Sequence, residues 1–474
     1  MTIEKRIAIA KRILQAHNQA HLIAFWDELD LARRQSLLDQ IEQIDFDEVD
    51  NWVAQYVKSS NPYSLPQKLD PAPYYAARPA SGQEQKYEKA IAHGKELLSQ
   101  GKVAAFVVAG GQGTRLGFEG PKGNFPISPL KNKTLFTLFG EMIAAAAKKY
   151  GRPLAWYIMT SPLNHQETID TFKSANYFGL DKDGVFIFQQ GTMPNFSFDG
   201  RILMADKAAL AVSPDGHGGS LKALYKSGAI EDMKRRGVEI ISYFQVDNPL
   251  INIFDPLFIG LHAADNAQMS SKALIKTGPL EKVGNFCLAG GRVTVIEYSD
   301  LPDELAHKRG PDGSLVFQLG SIAIHIISRT FVEKLNAKGF ALPFHRAVKK
   351  IVHIDENGRP VEPSEPNGIK LETFVFDALP LADKSVILET IRSEEFGPVK
   401  NASGTDSAES ARQMMIERSA LWLEYAGVTV PRKADGSVDA VIEIAPGFAL
   451  DKEDVKAKAQ EIRPIKPGEK VYLS

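Results

Sequence analysis

The densest chemistry in the chain lies in one run, VVAGGQGTRLGFEGPKG at 107–123, where an apolar stretch passes into a glycine-rich loop. A buried strand feeding such a loop is a natural phosphate-binding turn, because glycine lets backbone N–H groups approach an anion closely. Gly110, Gly111 and Gly113 provide that approach, and Arg115 and Lys122 add two cations seven residues apart. Arginine offers a fixed donor fork and lysine a mobile point charge, a pair suited to neutralising charge that builds on a pyrophosphate leaving group. The competing reading is a plain tight turn with solvated cations; the T-R-L and P-K offsets favour function.

Two familiar phosphate motifs fail here. The dinucleotide pattern G-x-G-x-x-G meets Leu116 where it needs glycine, and Lys131, Asn132 and Lys133 stand where an acidic residue should follow. The P-loop fails because no glycine–lysine pair at the required spacing precedes Ser or Thr. Elsewhere, Asp247 ends an apolar run in Q-V-D-N, where open α/β sheets hold ligands and a carboxylate can share a hard cation with phosphate oxygens. The simpler alternative there is a turn or cap before Pro249. The GHGG at 216–219 again lets backbone approach a ligand, and the Gln190 amide can pair with a pyrimidine edge.

These groups need elements to hold them. The apolar runs 103–109, 154–160, 185–189 and 239–246 read as buried strands separated by helical stretches, the alternation of a mostly parallel sheet with helices on its faces. Shorter pieces at 271–276, 293–298, 315–319, 322–327 and 370–376 predict a mixed or antiparallel extension of that sheet. Residues 1–57 carry helical periodicity, 59–82 is a Pro-rich extended connector, a helix follows over 83–100, and another begins after about 410. The expected fold is α/β with a Rossmann-like, mostly parallel mixed sheet of the nucleotidyltransferase type. The expected division is a helical N-terminal region with connector at 1–95, a catalytic domain at 96–405 and a small C-terminal domain at 406–474.

Composition sets outer limits. The chain has 474 residues, 44% hydrophobic and 24% charged, with a net charge of -2, so no global field draws it to polyanions. It has no basic stripe or aromatic–basic module for nucleic acid. Its longest apolar runs fall short of the 18 or so residues that cross a bilayer. Lys5, Arg6, Lys11 and Arg12 lie among apolar residues, but Glu4 interrupts that face, which favours an ordinary surface helix over a membrane anchor. The single cysteine, Cys287, forms no intramolecular disulfide; it reads as a buried packing residue in a cytoplasmic protein.

The loop pattern GGxGTRLG followed by PKG resembles the eukaryotic-type UDP-sugar pyrophosphorylases, the UDPGP family, and within it the N-acetylglucosamine branch. The resemblance continues in order through WYIMTS (156–161), FQQG (188–191), SFDGRI (197–202), PDGHGG (214–219), VDNPL (246–250), VIEYSD (295–300), HRAVKKI (345–351), PNGIKLETFVFD (366–377) and PVKNASG (398–404). It implies that UTP and a sugar 1-phosphate are joined into a UDP-sugar with release of pyrophosphate, with Mg²⁺ required. It further implies that Asp247 holds the Mg²⁺, that Gln190, Gly216 and His217 lie at uridine or sugar, and that Lys370 and Lys400 face phosphates; with these, Gly110 and Gly111 would approach a base or phosphate, Arg115 and Lys122 would straddle the polyphosphate, and Glu297 would accept from sugar hydroxyls.

Two departures concern the sugar. The N-acetylglucosamine enzymes have G-N-I-A-N-H where this chain has GSIAIH, so Ser321 replaces the first asparagine and Ile324 the second. Their G-N-G-G is here G-H-G-G, with His217. The expected substrate is N-acetylglucosamine 1-phosphate; glucose or galactose 1-phosphate is the alternative, and a nucleotide-sugar-binding regulator without turnover is the reading outside enzymes.

Overall fold

The computed structural model describes residues 1–59 and 65–474. By contacts the chain groups into a larger unit (66–190, 221–340 and 376–474) and a smaller one (1–65, 191–220 and 341–375).

The larger unit is built on a ten-stranded sheet. Its parallel part runs Ile240–Gln245, Val103–Val108, Trp156–Thr160, Val185–Gln189 in spatial order. Val103 to Val107 and the whole of Trp156–Thr160 are buried, as expected of strands covered on both faces. Ile240–Gln245 then pairs antiparallel with Leu319–Ser328, which also carries Gly284–Ala289 and Met269–Ile275. Arg292–Ile296 extends the sheet from Gly284–Ala289, and Ser385–Glu389 lies parallel to Met269–Ile275. The parallel core with an antiparallel extension is the α/β arrangement the apolar runs imply.

Helix Leu135–Tyr150 covers the sheet with Phe136, Phe139 and Ile143; the Thr134 hydroxyl caps its start and Gly151, in left-handed conformation, ends it. Helix Glu84–Ser99 crosses Pro256–Ala264 at two glycines. A Cβ on Gly94 would stand 1.9 Å from the Pro256 carbonyl oxygen, and one on Gly260 1.8 Å from that of Ala90. Helix Ala408–Tyr425 opens with a Ser407–Ser410 capping box and leads to a hydrophobic cluster with Val430, Ile442 and Val455.

Two expectations need correction. The piece 322–327 belongs to strand Leu319–Ser328, which takes in 320–321 as well, whereas the piece 315–319 gives that strand only Leu319: Leu315 bridges to Arg309 and 316–317 turn; within the strand Ala323 has φ 55° and the pairing register shifts between Ser271 and Ala273. The piece 370–376 is strand Gly368–Glu372, and it belongs to a three-stranded sheet in the smaller unit, not to the large sheet. The connector contributes an edge strand, Leu69–Pro71, on Gly284–Ala289, a position that tolerates Pro71; its residues 60–64 lie outside the described residues.

The smaller unit packs helices Ile3–Ala16, Leu31–Glu42 and Phe46–Trp52 around Leu14, Leu37, Leu38 and Val49, with Phe196, Ile202 and Ile369 in the same core. Buried Gln19 ties the helical part to the strands, donating to the Gly200 carbonyl and accepting from Ile202 N–H, both at 2.9 Å. Helix Ile3–Ala16 thus buries Ala10 and Leu14 in protein, and among the described residues no helix is long and apolar enough to cross a membrane.

Candidate active site

Four parallel strands point their carboxyl ends the same way, and the segments that leave those ends carry most of the residues singled out from the sequence. Val103–Val108 leads into the glycine loop, Val185–Gln189 into Gln190, and Ile240–Gln245 into Asp247; Trp156–Thr160 leads into Ser161 and Asn164.

The glycine loop is fastened by its own backbone. Gly113 N–H donates to the Gly120 carbonyl at 3.0 Å and Lys122 N–H to that of Gly111 at 3.1 Å, while Gln112 bridges to Pro121. Asn164, fully buried, pins the loop from below. Its Nδ2 donates to the carbonyls of Ala109 (2.9 Å) and Gly111 (3.3 Å), and its Oδ1 accepts from Ser161 N–H (2.8 Å) and Oγ (3.1 Å). At the head of helix His165–Ser174 an asparagine reads as an ordinary N-cap, yet its amide caps nothing there and turns to the loop instead. Sequence reasoning overlooked it; an asparagine four residues after a strand end is the one signal available.

At Gly110 a Cβ would lie 2.3 Å from Gln190 Oε1, so the pyrimidine-pairing candidate and the loop meet at this glycine; at Gly111 the same position is open. Arg115 is exposed on the short turn Thr114–Leu116. Lys122 is half-buried, and its Nζ donates to the Val399 carbonyl at 3.3 Å. Val399 N–H in turn donates to the Asp247 carbonyl at 2.8 Å, which seats the segment bearing Lys400 beside the strand end bearing Asp247. Burial lowers the pKa of Lys122, the Asp247 carboxylate opposes that, and the charges of Lys400 and Arg115 add to it. Arg115, Lys122, Asp247 and Lys400 therefore share one electrostatic neighbourhood.

Glu297 and Ser321 come together at the antiparallel end of the sheet. Gly284 pairs with Ser321, and a Cβ on Gly284 would lie 3.7 Å from both Glu297 Oε1 and Ser321 Cβ. The Val295 side chain fills that position, 2.5 Å from where the Cβ would stand, so Gly284 is required for close packing beside a carboxylate and a hydroxyl, the kind of groups that read sugar hydroxyls.

Gly216, His217 and Lys370 lie in the smaller unit. Gly216 has φ +83°, and a Cβ there would stand 2.4 Å from the Thr373 carbonyl oxygen, so both conformation and space demand glycine. The turn is held by Gly218 N–H to the Thr373 carbonyl (2.8 Å) and Thr373 N–H to the Asp215 carbonyl (2.9 Å). His217 stacks on Phe374 at 5.2 Å, and its Nδ1 accepts from Val375 N–H at 3.1 Å. Burial, reinforced by the charge of His345, lowers its pKa to about 4, so near neutral pH it is an uncharged imidazole with its proton on Nε2. Lys370 is half-buried on strand Gly368–Glu372, opposite Ala347.

Cys287 is buried in its strand, its S–H directed to the Thr294 carbonyl at 3.7 Å, and burial pushes its pKa up to about 12. It has no part in the site.

A divalent metal is tested by the donor set around Asp247. Among the described residues no three His, Cys, Asp or Glu side chains gather in a metal cage. One half-buried carboxylate at a strand end beside a phosphate-type loop fits a hard cation that takes its remaining ligands from water and substrate phosphates, the usual manner of Mg²⁺.

Residues 66–468 match the family described as UTP–glucose-1-phosphate uridylyltransferase. The chain is 36% identical over 431 residues to a UDP-N-acetylhexosamine pyrophosphorylase-like protein 1 of Xenopus tropicalis, covering 88% of this chain and 83% of that protein. It is 34% identical over 438 residues to the UDP-N-acetylglucosamine pyrophosphorylase of Saccharomyces cerevisiae, covering 89% and 92%. Its fold aligns with the crystal structure of the uridine diphosphate N-acetylglucosamine pyrophosphorylase of Trypanosoma brucei at a TM-score of 0.83 and 26% identity, over 100% of this chain and 98% of that one. A glycine loop, two cations and a carboxylate at the ends of parallel strands, in a chain matched to one family over most of its length, leave one assignment: the chain belongs to the UTP–glucose-1-phosphate uridylyltransferase family, the UDP-sugar pyrophosphorylases.

Proposed function

We propose that the chain joins UTP and N-acetylglucosamine 1-phosphate into UDP-N-acetylglucosamine and releases pyrophosphate, working with Mg²⁺ in the cytoplasm. The observation that carries this reading is the grouping of Arg115, Asp247 and Lys400 around Lys122 beside a glycine loop, with Val399 bonded to both Lys122 and Asp247. A phosphate oxygen of the sugar phosphate bonds to the α-phosphorus of UTP while the bond from that phosphorus to the leaving pyrophosphate breaks. This needs no protein nucleophile; the work is alignment of two anions and stabilisation of the charge that collects on the leaving group.

The backbone at Gly110 and Gly111 and the amide of Gln190 hold the nucleotide. Lys122 and Arg115 meet the triphosphate, and Lys122 is the stronger stabiliser because it is the more desolvated of the two. Asp247 would hold the metal ion, which when bound supplies positive charge shared between phosphate oxygens. Lys400 faces the same phosphates. Glu297 and Ser321 bind sugar hydroxyls. In the smaller unit Gly216, His217 and Lys370 keep the roles the resemblance implies, contact with uridine or sugar and with phosphate; His217, being neutral, would donate through Nε2.

Ser321 and His217 favour a second reading, in which glucose or galactose 1-phosphate is also used. Pyrophosphate release measured with UTP over a panel of sugar 1-phosphates tests both. Highest kcat/KM with N-acetylglucosamine 1-phosphate is expected; a clear preference for an unacetylated hexose 1-phosphate would replace the first reading with the second, and no release with any would reject both.

A further inference from the structure

The residue after Asp247 has no part in the site described so far. Asn248 is 5% exposed, and its side-chain amide makes three hydrogen bonds. Oδ1 accepts from Leu250 N–H at 3.3 Å and from Gly397 N–H at 3.1 Å, and Nδ2 donates to the Glu395 carbonyl at 2.8 Å. Two N–H donors on one side and a carbonyl on the other leave only one way round for the amide. The bond to Leu250 is a local turn contact of the kind asparagine makes in many loops. The other two reach almost 150 residues along the chain and grip the segment 395–397 at both ends.

That segment runs directly into Val399 and Lys400. Val399 spans the gap between Asp247 and Lys122, donating to the first through N–H and accepting from the second at its carbonyl. Gly397 lets the segment come close, since a Cβ there would stand 2.6 Å from Leu250 Cδ1. Upstream, the segment is anchored by Glu395, whose buried carboxylate accepts from Lys272 Nζ at 2.5 and 2.6 Å, from Thr390 Oγ1 at 2.7 Å and from Asn252 N–H at 3.2 Å. Lys272 is itself buried and also pairs with Asp255 at 2.7 Å.

The geometry points to Asn248 as a positioning residue: its amide locks the segment 395–400 to the strand end of Asp247 and so fixes Lys400 and the Val399 carbonyl relative to Asp247 and Lys122. It touches no substrate and acts through the groups on either side. The inference rests on the proposed roles of Lys122, Asp247 and Lys400.

A double-mutant cycle in the full-length protein tests it. Asn248→Ala removes all three bonds; Asn248→Asp keeps the shape and the two accepted bonds but sets an oxygen against the Glu395 carbonyl. Each is expected to lower kcat about tenfold or more while the KM for UTP rises less, as for loss of transition-state alignment. In the Lys400→Ala background, the further loss from either substitution should shrink to about threefold or less, because the group being positioned is gone. A general structural defect would instead lower kcat by the same factor in both backgrounds, and that additivity would overturn the proposal, as would unchanged kcat in a folded Asn248→Asp protein. If Asn248→Ala does not accumulate as folded protein, Asn248→Asp carries the cycle alone. Full activity in both Lys122→Ala and Lys400→Ala has a different meaning: it rejects the residue roles beneath the proposal, and the proposal with them.

Discussion

Arg115 and Lys122 differ in their surroundings more than in their charge. One is exposed on a turn and the other half-buried with its Nζ against a carbonyl. Each, changed to Ala, should lower kcat by more than it weakens UTP binding, with a loss of about 10²-fold as the scale for one removed electrostatic stabiliser. Lys122→Ala should lose the more, and steady-state kinetics beside calorimetric UTP binding would show it; unchanged turnover in both would remove the loop from the reaction. At the sugar end, Ser321→Asn should raise the ratio of kcat/KM for N-acetylglucosamine 1-phosphate over glucose 1-phosphate. One neutral hydrogen bond changes such a preference by about 0.5–1.5 kcal/mol, a few-fold to roughly tenfold. A parent already strongly selective and a substitution without effect would exclude position 321 from specificity. These side chains were readable because glycine spacing and flanking cations are local facts. Asn164 and Asn248 were not, because an asparagine beside a strand end looks alike whether it caps a helix, makes a turn or reaches a segment far along the chain.

Among the elements, the parallel strands were the most legible, since continuous apolar runs have few other uses in a chain of this composition. Strands Gly284–Ala289 and Ser385–Glu389 were missed: each gains its meaning from partners, Leu319–Ser328 and Met269–Ile275, that sequence proximity does not reveal. The split read between 319 and 322 fell on Gly320 and Ser321, two residues of low strand preference that tertiary pairing nonetheless holds in Leu319–Ser328, while the irregularity at Ala323, an alanine with positive φ, leaves no mark in residue type. The crossing of helices Glu84–Ser99 and Pro256–Ala264 makes a firm prediction. Gly94→Ala forces a methyl group toward the Pro256 carbonyl, and pushing the helices apart should cost about 1–3 kcal/mol. The thermal midpoint should fall while kcat measured well below it stays close to the parent's. An unchanged midpoint would mean that the crossing yields without strain.

At the scale of the whole molecule, the order of composition along the sequence suggests boundaries near 95 and 405, whereas contacts group 1–65 with 191–220 and 341–375. Nothing in residue type announces such a grouping, because it is made by pairings such as Gly368–Glu372 with Phe196–Ser197. Global stability should also carry a pH signature from buried imidazoles. His262 is held by the hydroxyls of Ser270 (2.8 Å) and Ser328 (3.0 Å), and burial lowers its pKa from 6.5 to about 3; that of His217 falls to about 4. Unfolded, both histidines take up protons below about pH 6.5, while folded they resist until far lower, so unfolding binds protons and stability drops as pH falls through that window. Denaturant unfolding between pH 4 and 6.5 should therefore be shallower in pH for His262→Gln than for the parent, by about 1.4 kcal/mol per pH unit in mid-window; equal slopes would mean that His262 is already protonated in the folded protein. The chain's only cysteine, sealed between paired strands with its thiol pushed up to about 12, has a practical corollary. Maleimide or iodoacetamide at neutral pH should pass over Cys287 in the folded protein, so the natural sequence already serves as a blank background for fluorophores or spin labels. A cysteine introduced at an exposed position would then be the one site that such reagents label.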